Sequence, residues 1–88
     1  MNIFGPSEAE SQLQAAYELA VELEANPLSG DIREALDALA QGDRTYASEI
    51  LEVIIDKIER VAEETLTAEG QDLLVAIMGY VLNAREAI

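Results

Sequence analysis

Residues 43–63 read DRTYASEILEVIIDKIERVAE, and this stretch decides the fold. Ala47, Ile50, Leu51, Ile54, Ile58 and Val61 recur at the i, i+3, i+4, i+7 spacing that places side chains on one face of a helix. A second pattern is interleaved with the first. Glu49, Glu52, Asp56, Glu59 and Glu63 also recur at helical spacing, so they form a band opposite the apolar stripe. An apolar face opposed by a charged one is the signature of a helix lying on a core. Asp43 stands at the N-cap position, and the spacing predicts a helix over 44–66.

The pattern continues on both sides. Downstream, Thr67 is placed to cap a helix over 68–87, with Leu73, Leu74, Ile77 and Val81 on its main stripe. Adding Val75, Met78, Tyr80 and Leu82 widens its apolar surface to roughly 220°, about twice an ordinary buried stripe. Val75, Met78 and Leu82 make a second seam, which we expect either the first helix or a second subunit to cover. In a domain this small, that seam is the candidate oligomer interface. Upstream, Ser7 and Glu10 form a capping box that opens a helix over 8–25, with Leu13, Ala16, Tyr17, Ala20 and Leu23 on one face. Asn26-Pro27 is read as its stop. Asp31 and Glu34 repeat the capping pattern and predict a short helix over 32–41, with Ile32, Ala35, Leu36 and Leu39 inward and Gly42 as its end. No segment alternates with the period of a strand. The expected fold is all-α, a small helical bundle of three long helices plus one short helix. It forms a single acidic domain over 1–88, with an N-terminal arm at 1–6.

Leu39-Ala40-x-Gly42-Asp43-x-x-x-Ala47 resembles the helix–turn–helix junction of tetratricopeptide-like repeats. A repeat protein needs a sustained period of about 34 residues, and none is present. Gly42 as a helix stop accounts for the match.

Composition narrows the chemistry. Eighteen acidic residues face five basic ones, a formal charge of −13, and no Lys or Arg precedes Arg33. Such a field repels nucleic acid and anionic membranes and favours basic partners. Arg33, Arg44, Lys57, Arg60 and Arg85 each have acidic neighbours, so no basic stripe for phosphates forms, and direct nucleic-acid binding is not expected. With no Cys and no His, thiol nucleophiles, the usual general base, most zinc sites and the Glu-x-x-His pairs of di-iron bundles are gone. No glycine-rich phosphate loop or calcium loop occurs. We expect no enzyme activity, no cofactor and no metal. The longest uncharged apolar run, residues 73–82, is too short to span a bilayer, and the N-terminus has no leader pattern. The expected setting is cytoplasmic.

Positive function therefore falls to surfaces. The five carboxylates from Glu49 to Glu63 span roughly 21 Å of helix, and Glu18 and Glu22 add a shorter acidic pair on the first helix. We expect these seven residues to bind another protein, a basic one, in the manner of an inhibitor or adaptor. Charges about 4.5–6 Å apart along an axis also approach the spacing of nucleic-acid phosphates, which opens the alternative of a DNA or RNA mimic. In size and charge the chain resembles, as a class, phage-encoded inhibitors of restriction or CRISPR systems and bacterial immunity proteins. That resemblance carries over no residues. A third expectation is a structural subunit of a homo-oligomer held by Val75, Met78 and Leu82. Tyr17, Tyr46 and Tyr80 are expected to be half-buried packing residues.

Overall fold

Ser7 opens the first helix as its neighbours require. Its Oγ accepts from the Glu10 amide at 3.2 Å, and its own amide donates to Glu10 Oε1 at 3.4 Å. The computed structural model describes residues 7–64 and 67–88. The expected arm at 1–6 and the last residues of the expected third helix, 65–66, lie outside the described residues. Four helices follow in order: α1 Glu8–Glu22, α2 Asn26–Ala40, α3 Arg44–Ala62 and α4 Ala68–Ala87.

The caps at Asp43 and Thr67 form as the sequence predicts. Asp43 Oδ1 accepts from the Tyr46 amide at 3.1 Å, and Thr67 Oγ1 accepts from the Gly70 amide at 3.0 Å. Gly42 ends α2 with φ +80°. The Asp43 amide reaches back to the Ala38 carbonyl at 2.9 Å and the Gly42 amide to Leu39 at 3.0 Å. These crossed bonds satisfy carbonyls that the last turn leaves without partners.

Three boundaries differ from the sequence reading. The third helix ends at Ala62, short of the expected 66, because the Glu63 and Glu64 amides turn back to the Arg60 and Val61 carbonyls at 3.2 and 3.1 Å and close its last turn. The first helix stops at Glu22, three residues early, because Glu24 adopts φ +62°. The Ala25 amide then bonds the Ala20 carbonyl and the Glu24 amide bonds Val21, both at 3.0 Å. This is the same crossed cap that Gly42 makes, here with a residue whose Cβ disfavours the conformation. The second helix is not short. It begins at Asn26 and runs for 15 residues, the same length as α1. Pro27 lies in its first turn, where the missing N–H has no intrahelical acceptor to lose and the fixed φ suits a helix. Asp31 and Glu34 are consequently interior residues of α2, not its cap. The earlier start also buries Leu28.

Each helix packs on its neighbours in chain order, and α1 closes the ring against α4. Among the described residues the backbones of the diagonal pairs α1–α3 and α2–α4 do not approach closely. The α1–α4 seam is the most extensive and the α3–α4 seam the thinnest. Leu13, Ile32, Leu51, Ile54, Leu74, Ile77 and Val81 are fully buried, with no buried polar side chain among the described residues. Removing each such aliphatic side chain from water contributes about 1.5–3 kcal/mol before chain entropy is counted. Small residues set the close approach of α1: Ala16 and Ala20 are inaccessible to solvent, as is Ala84 on α4.

Polar contacts tie α2 to α3. Lys57 Nζ bonds Asp31 Oδ2, and Tyr46 Oη donates to Glu34 Oε2 at 3.1 Å. That donation holds the Tyr46 phenol above its ordinary value, first through the hydrogen bond and next through the Glu34 charge. Because the raised group is neutral below its folded pKa, the contact stabilises the fold below about pH 10 and is lost as pH rises through the folded value. A difference titration of tyrosine absorbance, wild type against Tyr46→Phe, should give a midpoint above the ordinary one. Adding Glu34→Gln to both proteins should lower it. An unshifted midpoint in both pairs would mean the bond does not form in solution.

Candidate interaction surface on α3 and α4

Glu49, Glu52, Asp56 and Glu59 all project from the outer face of α3 and are exposed, and Glu63 follows as its exposed C-cap. The stripe is therefore continuous. It is also partly neutralised. Arg60 reaches Asp56 at 2.9 Å within the helix, and Arg85 of α4 reaches Glu52 at 2.9 Å across the α3–α4 seam. Glu49, Glu59 and Glu63 make no ion pair among the described residues. Exposed pairs of this kind contribute at most about 1 kcal/mol and exchange readily.

The α4 seam borders this stripe directly. Met78 packs half-buried against the core, Leu82 is exposed and Val75 is 71% exposed. Neither α1 nor any other described element covers Val75. A cleft of about 220 Å³ lies between the helices, lined by Glu59 and Ala62 of α3 and by Gln71, Val75 and Met78 of α4. Its floor reaches the buried core residues Ile58 and Leu74. The Gln71 side chain donates to the Ala62 carbonyl at 3.3 Å near one end, and the Arg85–Glu52 pair crosses the seam toward the other. Two features that were separate in the sequence, a carboxylate band and an apolar seam, thus form one surface.

Glu18 and Glu22 are exposed on α1. Because α1 lies diagonally across from α3, their outward faces point away from the α3 stripe. The structure does not bring the seven acidic candidates into one site. Tyr17 is half-buried against the core as expected, but Tyr46 and Tyr80 are exposed, 43% and 37%. Tyr46 lies on the α2 side of α3, where Glu34 holds its hydroxyl, and Tyr80 lies on α4 away from the cleft. A larger apolar cleft, about 410 Å³, opens at the α1–α2 turn between Leu23, Pro27, Leu28 and Val61. Lys57 and Arg60 stand at its mouth, but each is paired with its own carboxylate, Asp31 and Asp56.

Among the described residues no cluster of three or more metal-ligating side chains occurs, and no helix is long and apolar enough to cross a membrane. Comparison with protein-family models, with curated proteins and with solved structures finds no match to this chain.

Proposed function

We propose that this chain is a non-enzymatic protein-interaction module, an inhibitor or adaptor that binds a basic partner protein through the outer face of α3. One observation carries the reading: the acidic band of α3 is continuous with an uncovered apolar seam on α4, so charge and desolvation act on one surface. The field of a chain at −13 accelerates encounter with a cationic partner, and the apolar strip supplies burial once contact is made.

The test compares two charge-matched triple variants. Glu52→Gln, Asp56→Gln and Glu59→Gln alter the proposed face, while Glu8→Gln, Glu18→Gln and Glu22→Gln remove the same charge from α1. Against a lysine-rich peptide of about twenty residues, the α3 triple should weaken binding roughly tenfold, given up to about 1 kcal/mol per exposed pair. The α1 triple should have little effect. Equal losses would mean that binding follows net charge alone and that no particular face is used.

Two other readings have support of their own. The carboxylates without ion pairs favour a nucleic-acid mimic, but the separation of the α1 and α3 acids on diagonal helices works against a single phosphate-like track. The exposure of Val75 favours a homo-oligomer. Yet residues 72, 79 and 86 share the outer side of α4, and a two-fold packing of α4 about Gly79 would set Asp72 against Glu86 in antiparallel register. Parallel register would set each acid against its own copy. Like charges so placed destabilise the contact.

A further inference from the structure

We propose that the α3–α4 groove receives one amphipathic helix from a partner protein, with its apolar stripe on Val75, Met78 and Leu82 and a row of Lys or Arg along its α3-facing flank. This rests on the acidic-face reading above and names the kind of partner that face takes.

Four observations select this occupant. The α3–α4 seam is the thinnest of the four, and its cleft opens onto the core at Ile58 and Leu74, so an inserted side chain would touch already buried groups. Val75 and Met78 line the α4 side of the cleft and Glu59 its α3 side, with Glu52 further along α3 in its exposed pair with Arg85, so a complementary ligand carries its cations on one flank only. The cleft itself extends from Gln71 to Met78, and Leu82 and Arg85 continue the same side of α4, so the strip from Gln71 to Arg85 covers fourteen residues, roughly 21 Å, or about four turns of a docked helix. Finally, both walls are helices whose backbone groups are bonded internally. An extended peptide would bring amides and carbonyls to a surface that offers few partners, whereas a helix satisfies its own. A second copy of this chain fits less well, because it would bring its own acidic faces to an acidic rim.

The chain contains no Trp, so a tryptophan placed in a synthetic peptide reports binding directly. Three eighteen-residue probes separate the outcomes. The first has leucines at i, i+3, i+4 and i+7 spacing with lysines on one flank. The second has the same composition permuted so that no stripe forms. The third keeps the stripe and replaces lysine with glutamate. At about 0.15 M salt the first should bind at least tenfold more tightly than either of the others. Val75→Ser with Leu82→Ser should reduce it to the level of the permuted peptide. Both positions are exposed, 71% and 37%, so this double variant does not threaten the fold. Equal binding of the first two probes would overturn the helix-in-groove proposal and leave the acidic-face reading standing. Failure of both basic probes would overturn both. Equal binding of the first and third would remove the cationic flank and, with it, the assigned partner. Light scattering of the protein alone closes the remaining route. A dimer that becomes a monomer with Val75→Ser and Leu82→Ser would assign the groove to a second copy and overturn the proposal, while a monomer in both supports it.

Discussion

Replacing Ile54 with alanine should destabilise the protein by about 3 kcal/mol and lower its melting temperature by roughly 12–24 °C. Ile54 is inaccessible to solvent at the middle of α3 and shares its buried stripe with Leu51 and Ile58. Truncation removes the transfer free energy of the lost methyl and methylene groups. It also leaves a void that neighbouring helices fill only in part. In a domain whose whole stability is on the order of 5–15 kcal/mol, that loss is a large share. Urea unfolding followed by circular dichroism measures it, with an unchanged denaturant slope showing that both end states are preserved. A loss below about 1 kcal/mol would mean that Ile54 is not packed on all sides and that the bundle is looser than described.

Ala16→Leu tests the opposite failure. Ala16 is inaccessible on α1, whose seam with α4 is the most extensive in the bundle, and a leucine there has no room. It should cost about 2 kcal/mol through displaced backbones and strained rotamers. Enlarging Val75 by one methylene, as Val75→Leu, should change stability by less than about 0.5 kcal/mol, since that side chain faces outward. Thermal melts of the two variants give the contrast directly. A neutral Ala16→Leu would show that α1 and α4 do not approach closely. A costly Val75→Leu would show that the α4 seam is covered, and the interaction surface described above would then be wrong.

Much of this was open to reading from residues close together in the chain. Ser7 with Glu10, Asp43 with the Tyr46 amide, and Thr67 with the Gly70 amide are contacts across three residues, so the starts of α1, α3 and α4 follow from local chemistry. Gly42 is equally legible, because only a residue without a Cβ takes φ +80° at no cost. Glu24 reaches a similar φ without that mark, and the early end of α1 left no sign. Pro27 misleads for a related reason. A proline that ends one helix and a proline that begins the next look alike in sequence, and the longer α2 is distinguished by the burial of Leu28 and by Asp31 and Glu34 reaching α3.

Residue order alone establishes an all-α fold, most of the buried stripe of each helix (Leu28 excepted on α2), the acidic band of α3 and the excess of apolar surface on α4. Those are properties of a period of 3.6 residues, set within single helices. That the acids of α3 and the seam of α4 adjoin, that Glu18 and Glu22 face elsewhere, and that Val75 is left uncovered follow from the packing of the helices. Periodicity fixes which side chains share a face. Which face meets which helix depends on how well alanine-lined and isoleucine-lined surfaces fill the space between them, and that fit involves residues far apart in the chain.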